Sequence, residues 1–391
     1  MTTRDPRWVF KDRPSLSLIV GLVLAGICAL VSLSFDILNG EPVQFFIALA
    51  LAIAPVPVLL AAVLALDRME PEPRSNLIFA FAWGAGIAVL VAGLINSLNL
   101  HYLGEAAQMS ALSARNIAAT FGAPVVEETM KGLVLLGLLR FRSQELDGPT
   151  DGIIYAGMVG LGFAMSENVS YYITALQGSG PQGLAVTVVL RGVLSPFAHP
   201  LFTSMIGIAV AYAAHQRGGR RVVVIVLGWL GAMLLHGIWN GFASYGGFDG
   251  LVIAYLVLMG VLFILIGVVL RDRKRIVALI VRYLPAYAPT RLVNPSDVYM
   301  LSALSRRRLA RQWARNNGGT EGLRAMSDYQ LAATELGLLH ERAAKGIIGE
   351  AVFRAEQQAL LQCMQTARAR FPVKADRATN PWGASPSSPP M

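Results

Sequence analysis

Long apolar runs constrain this chain more than any other feature. Several runs of about 18 or more residues carry almost no charge, which is the length a helix needs to cross the hydrocarbon core of a bilayer. Hydrophobic residues make up 54% of the chain and charged residues only 15%, a balance that excludes an ordinary soluble domain. The sequence therefore predicts an all-α fold, a polytopic membrane helix bundle.

Eight membrane spans can be drawn from these runs. They lie near residues 15–38, 43–66, 76–100, 118–140, 150–174, 186–214, 221–245 and 250–270. The first run is too long for the apolar region of a signal peptide, so we expect an uncleaved span. The sixth span contains Pro196 and Pro200, which predict a tilt or a break.

The basic residues of the loops predict the orientation of the spans. The N-terminus and every second loop together hold fifteen Lys and Arg residues, whereas the alternate loops hold only Arg115. Because Lys and Arg accumulate in cytoplasmic loops, this asymmetry predicts a multi-pass protein of the cell membrane with both termini in the cytoplasm.

Four regions follow from this topology. Residues 1–14 form a cytoplasmic N-terminal segment, 15–270 the transmembrane domain, 271–370 a small helical cytoplasmic region, and 371–391 a disordered tail rich in Pro, Ser and Ala. The basic residues after position 270 are expected beside the anionic lipid of the bilayer. The net charge of +9 therefore reflects topology, and no nucleic-acid partner is predicted.

Span four carries Glu127, Glu128 and Lys131 inside an apolar run. A charge at this depth costs a few kcal/mol, so a chain retains it where the charge is paired or used. Lys131 is one turn from both carboxylates and is expected to hold one of them in its charged form. Two adjacent carboxylates also place an acid and a base within one helical turn, as general acid–base catalysis requires.

Three other spans contain further polar side chains. They are Glu167 and Asn168 in span five, Arg191 and His199 in span six, and His236 and Asn240 in span seven. A helix rise of 1.5 Å per residue places most of them in one layer with the glutamate pair, roughly 8–15 Å below the outer surface, and places His199 somewhat deeper.

Each of these residues also has a structural interpretation. A single Asn or His in a span usually forms a helix–helix hydrogen bond, which applies to Asn168 and Asn240. Arg191 is expected to be a structural counter-ion or a snorkelling side chain. The carboxylates would equally suit an ion or proton pathway, so a transporter is one alternative function. A non-catalytic membrane scaffold, with the region after residue 270 recruiting partners, is another.

Several short motifs occur in order on successive spans. They are D-R-M-E-P-E-P at 67–73, E-E-x-x-K at 127–131, F-x-x-x-E-N at 163–168, P-F-A-H at 196–199 and H-x-x-x-N at 236–240. In this set the chain resembles the PrsW family of bacterial intramembrane proteases, which is distantly related to the CAAX prenyl-protein endopeptidases and the Abi proteins. The resemblance covers roughly residues 43–270.

The resemblance implies an endopeptidase that cuts a single-span membrane protein near its extracytoplasmic side, as in the cleavage of an anti-sigma factor during signal transduction. Carried over by motif, the catalytic residues would be Glu127, Glu128, Glu167, His199, His236 and Asn240. Lys131, Asn168 and Arg191 would support them. Because CAAX enzymes have His where this chain has Glu167, and because Lys131 closes the first motif at a shorter spacing, prenylated substrates are not expected.

The metal requirement is a separate prediction. Two Glu and two His are a donor set that zinc accepts, but the chain has no H-E-x-x-H motif, and these residues come from four helices. We therefore predict no metal and no cofactor, with zinc as the alternative. In this mechanism Glu128 holds the attacking water, Glu127 tunes Glu128, and His236 and Asn240 stabilise the oxyanion.

Overall fold

The computed structural model describes residues 15–66, 68–216 and 218–371, apart from the side chain of Gln144. Every regular element in these ranges is helical, so the predicted all-α fold is confirmed. The predicted N-terminal segment 1–14 and, apart from Phe371, the predicted disordered tail 371–391 lie outside the described residues.

Fourteen α-helices follow one another within the described residues. They are α1 (Leu16–Asn39), α2 (Pro42–Ile53), α3 (Val56–Leu66), α4 (Arg74–Trp83), α5 (Val89–His101), α6 (Ala111–Ile117), α7 (Ala123–Phe141), α8 (Pro149–Thr187), α9 (Ala198–Ala214), α10 (Gly219–Tyr245), α11 (Gly247–Tyr283), α12 (Pro295–Leu301), α13 (Leu304–Ala344) and α14 (Glu350–Ala369). Short π-helical turns join α4 to α5 and α6 to α7, and another, Val188–Leu194, follows α8.

Six helical stretches in the described residues are long and apolar enough to cross a membrane. They are 16–39, 42–66, 74–106, 149–214, 219–245 and 247–290. The chain is therefore a multi-pass membrane protein, but the predicted count of eight spans is not confirmed. Helix α7 falls outside the six because of its charged side chains, and the fifth and sixth predicted spans lie in one stretch.

The long stretch 149–214 is interrupted twice. Gly180 breaks α8 with a φ of 64°, a conformation that glycine adopts without a steric penalty, and Pro181 follows it. The second break lies at Ser195–Phe197, between the π-helical turn and α9, next to the prolines that predicted it.

The described chain divides into two compact units. The membrane unit comprises residues 15–66 and 72–269, and the second helical unit comprises residues 68–71 and 270–371. In the membrane unit, glycines allow close helix packing. A Cβ atom at Gly162 would lie 2.1 Å from the carbonyl oxygen of Phe81, and one at Gly160 would lie 2.5 Å from the backbone nitrogen of Pro200. Both glycines therefore stand where backbones touch.

The second helical unit has its own apolar core, drawn from α11 to α14. At its centre lies Arg307, which is 1% exposed. Its guanidinium donates to the carbonyls of Leu301 and Met69, at 2.9 and 3.0 Å, and to Oγ1 of Thr334, at 2.9 Å. Burial lowers the pKa of Arg307 to about 10. The arginine ties residues 68–71 to this unit.

Candidate active site

Helix α7 carries the three charged side chains that the sequence singles out. Lys131 is fully buried, and its Nζ lies 2.7 Å from Oε1 of Glu128 and 3.5 Å from Oε2 of Glu127. The same Nζ lies 2.9 Å from Nδ1 of His199 and 4.1 Å from the ring centroid of Phe163. The ammonium group therefore joins α7 to α8 and α9, and it pairs with a carboxylate as predicted.

Glu128 is held by three donors and has no exposed surface. Oε1 accepts from Lys131 and from Nδ1 of His236, at 3.0 Å, and Oε2 accepts from Oγ1 of Thr203, at 2.9 Å. Such contacts compensate the burial of a carboxylate. They also connect Glu128 to Thr203 on α9 and to His236 on α10.

Glu127 has a different environment. Its Oε1 accepts from Nδ2 of Asn96 on α5, at 3.2 Å. Its Oε2 is buried without a hydrogen-bond partner within the described residues. That oxygen lies 3.9 Å from Nε2 of His236. Two atoms with lone pairs, one a carboxylate oxygen and one an imidazole nitrogen, thus face each other across a small gap.

The hydrogen bonds determine the tautomers of the two histidines. An ammonium group can only donate, so Nδ1 of His199 accepts from Lys131 and Nε2–H donates to Oε2 of Glu167, at 3.0 Å. In His236 the Nδ1–H donates to Glu128, which leaves the lone pair of Nε2 directed toward Glu127 in the neutral ring. The His236 ring also stacks on Phe202, with ring centroids 4.9 Å apart.

Arg191 is fully engaged by its neighbours. Its guanidinium is ion-paired with Glu167, donates from Nε to Oδ1 of Asn168 at 2.6 Å, and lies 3.8 Å over the ring of Tyr171. Of the two predicted interpretations, a structural counter-ion or a snorkelling side chain, the ion pair with Glu167 favours the first. The side chain of Asn168 thus accepts from Arg191, which lies in the π-helical turn after α8.

Asn240 contacts the backbone instead of the carboxylates. Its Nδ2 donates to the carbonyl oxygen of Ala119, at 2.8 Å, in the π-helical turn before α7. A primary amide has a second N–H, so one donor of Asn240 is left for another acceptor.

A cavity of about 900 Å³ opens beside these groups. Its walls include Glu127, Glu167, His199, His236 and Asn240. Glu128 and Lys131 do not line it. Of the two adjacent glutamates that the sequence predicts to share the chemistry, only Glu127 therefore contacts the cavity, while Glu128, the predicted holder of the water, lies behind it.

Two contributors were absent from the sequence-based site. Asn96 orients Glu127, and Thr203 binds Glu128. Each carried a signal: Asn96 is a polar residue inside an apolar span, and Thr203 lies four residues after His199, on the same helical face.

One carboxylate and two imidazoles of the site form a donor set for a metal ion. Ligand atoms of Glu127, His199 and His236 all lie within 4.8 Å of one another. Two histidines and a glutamate suit catalytic zinc, and Nδ1 of His236 and Nε2 of His199 each meet a carboxylate, as in many zinc sites. Nε2 of His236 is open to a metal, whereas Nδ1 of His199 would have to exchange its hydrogen bond with Lys131 for the metal. Oε2 of Glu127, which has no hydrogen-bond partner within the described residues, is the third donor atom of this set.

Comparisons with known proteins identify a family model and three similar proteins. Residues 72–266 match the family model described as PrsW family intramembrane metalloprotease. Protease PrsW of Oceanobacillus iheyensis is 32% identical over 133 residues, which cover 33% of this chain and 57% of that protein. Protease PrsW of Geobacillus kaustophilus is 30% identical over 125 residues, covering 31% and 50% respectively.

Protease PrsW of Clostridioides difficile is 32% identical over 120 residues, covering 30% of this chain and 48% of that protein. The chain thus spans about half the length of the curated relatives it matches. No solved structure matches the chain.

Proposed function

Over its membrane region, residues 72–266, this chain belongs to the PrsW family, and we propose that it is an endopeptidase that hydrolyses a membrane-anchored protein. The observation that carries this proposal is the separation of 3.9 Å between Oε2 of Glu127 and Nε2 of His236, two residues that line the cavity. One water about 2.8 Å from each atom bridges roughly such a separation.

Glu127 is the general base in this proposal. A water that donates to both Glu127 and His236 keeps its lone pairs free for attack on a peptide carbonyl. Oε2 of Glu127 takes the proton of the water and then delivers it to the leaving amine, as a general base that becomes a general acid. The free N–H of Asn240 is the proposed donor to the oxyanion.

Glu128 is a positioning residue. By accepting from Nδ1 of His236, it fixes the tautomer that directs Nε2 toward Glu127. Lys131 and Thr203 hold Glu128 in place for this purpose. Glu167 accepts from Nε2 of His199 and so determines the tautomer of that ring, and Arg191 orients Glu167. The geometry therefore favours exchanging the roles that the sequence suggested for the two glutamates.

A divalent metal, if required, would be held by Glu127, His199 and His236. When bound, it would polarise the peptide carbonyl and increase the acidity of the attacking water. The metal-free mechanism stays a prediction, which chelation tests: hydrolysis that survives a strong chelator supports it, and hydrolysis that is lost and restored by zinc refutes it.

The proposed substrate is a single-span membrane protein, such as an anti-sigma factor, cut near its extracytoplasmic side. The proposed location is the cell membrane, with both termini in the cytoplasm, as the loop charges predict. The cavity supports this choice because it lies within the membrane unit, so an anchored segment would reach it from the bilayer.

The test compares three variants in a strain that lacks the native gene. Glu127→Gln removes the proposed base, Glu128→Gln removes the positioning carboxylate, and Glu105→Gln changes an exposed carboxylate outside the cavity. We expect single-span proteins to accumulate uncut with Glu127→Gln, to be cut slowly with Glu128→Gln, and to be cut normally with Glu105→Gln.

Cleavage that persists in Glu127→Gln would overturn the proposal. So would a proton flux in proteoliposomes that requires Glu127 and occurs without any cleavage, since this outcome would identify a transporter.

A further inference from the structure

Two arginines line the cavity, and their environments differ. The guanidinium of Arg191 is ion-paired with Glu167, hydrogen-bonded to Asn168 and stacked over Tyr171. Arg115, on α6, is exposed, and among residues 15–66, 68–216 and 218–371 it has no hydrogen-bond or ion-pair partner. It is also the sole basic residue of the predicted extracytoplasmic loops. Within the part of the chain that the structure describes, Arg115 is thus a cavity-lining cation without a neutralising partner.

The wall contributed by α11 is apolar. Its cavity-lining side chains are Phe248, Leu251, Val252, Tyr255 and Leu256. Phe248 and Leu256 are 80% and 64% exposed. A ligand of this cavity therefore meets an apolar surface on the α11 side and, in the lining, one arginine that has no ion-pair partner within the described residues.

We infer that the cavity binds a predominantly apolar segment of the substrate that carries one acidic side chain, and that Arg115 pairs with this carboxylate. This inference rests on the proposed function and adds a specificity-determining residue to it. Arginine suits the role because its planar guanidinium binds a carboxylate through two parallel hydrogen bonds.

The helix geometry predicts the spacing between the acidic residue and the cleavage site. The backbone is helical without interruption from α6 through the π-helical turn into α7. Arg115 therefore lies about 18 Å along the helix axis from Glu127, at 1.5 Å per residue. An extended peptide covers this distance in about five residues. The acidic residue is thus expected about five residues from the scissile bond.

The experiment measures binding separately from cleavage. The probe is a fluorescently labelled single-span peptide of Leu and Ala that carries one Glu or one Gln, moved stepwise along its extracytoplasmic half. Binding is measured with the full chain bearing Glu127→Gln in lipid nanodiscs, so that no peptide is cut. Cleavage of the same peptides is measured with the unmodified chain.

We expect the Glu peptide to bind about three- to tenfold more tightly than the Gln peptide at the best position, as a partly desolvated ion pair allows. Arg115→Gln should abolish the difference, and Arg115→Glu should reverse it for a peptide that carries Lys. Arg74→Gln, an exposed arginine outside the cavity, should change nothing.

Equal binding of the Glu and Gln peptides at every position would overturn the inference. This result is expected if Arg115 pairs only with lipid phosphate. Selective binding without any cleavage by the unmodified chain would leave the acidic docking site standing and would refute the proposed protease function. Cleavage of the peptides without selective binding would refute the acidic docking site and would leave the proposed protease function standing.

Discussion

Replacing Lys131 with Met tests whether the buried ammonium group stabilises the site. The substitution keeps an unbranched side chain of similar length but removes the charge that contacts Glu128 at 2.7 Å and Glu127 at 3.5 Å. Removing one partner of a buried ion pair costs about 3–5 kcal/mol, because the other charge is left buried. Glu128 keeps His236 and Thr203, so we expect the lower end, about 3 kcal/mol.

A double-mutant cycle separates this pair from general damage to the core. Glu128→Gln removes the carboxylate that Lys131→Met strands, so the double variant should lose about 2 kcal/mol less than the sum of the single variants. The free energy of unfolding is measured by denaturant titration in mixed micelles, followed by tryptophan fluorescence. Lys345→Met is the matched control, because Lys345 pairs with Glu341 at 3.0 Å while half exposed. It should cost less than about 1 kcal/mol.

Two results would refute this reasoning. One is a loss in Lys131→Met no larger than in Lys345→Met. The other is additivity of the two membrane-unit substitutions, which would mean that the ammonium group and Glu128 do not stabilise each other.

Three further predictions concern packing and the second helical unit. Gly162→Ala should destabilise the membrane unit by about 3 kcal/mol, because the new Cβ would lie 2.1 Å from a carbonyl oxygen. The control is Gly93→Ala, where the new Cβ meets open space; it should be neutral or slightly stabilising in thermal unfolding. Arg307→Leu should cost about 3 kcal/mol of unfolding free energy by leaving three buried acceptors unpaired, and Arg307→Lys should not restore it because an ammonium group lacks the fork of donors. Burial lowers the pKa of His340, so the folded chain binds this proton more weakly than the unfolded chain. The melting temperature should therefore fall as the pH drops below about 6.5, and His340→Gln should reduce that fall. A pH dependence identical in both proteins would contradict the assignment.

Much of the site could be predicted from local rules. The glutamates, His199 and His236 meet in the structure, and the length of each apolar run together with the helix rise had predicted similar depths for most of them. His199 reaches Glu167 although the residue count placed it deeper. The non-helical turn at Ser195–Phe197 explains the discrepancy, since it interrupts the uniform rise that the count assumed.

Other parts of the site depend on contacts between segments far apart in the sequence. Asn96 orients Glu127 across 31 residues, and Thr203 binds Glu128 across 75. Periodicity within one helix carries no information about which side chain of another helix it meets. These two residues were therefore absent from the predicted site, although both are polar residues in apolar helices.

The pair Glu127-Glu128 shows where the sequence alone stops. The sequence alone predicted that two carboxylates and a lysine lie within one helical turn of each other in one apolar run, because hydrophobic length and helical spacing are properties of one segment. It could not determine which carboxylate faces the cavity. Adjacent residues on a helix point about 100° apart, so the packing of α5, α9 and α10 around α7 directs Glu128 into hydrogen bonds and leaves Glu127 at the cavity wall. Only the tertiary structure made that distinction.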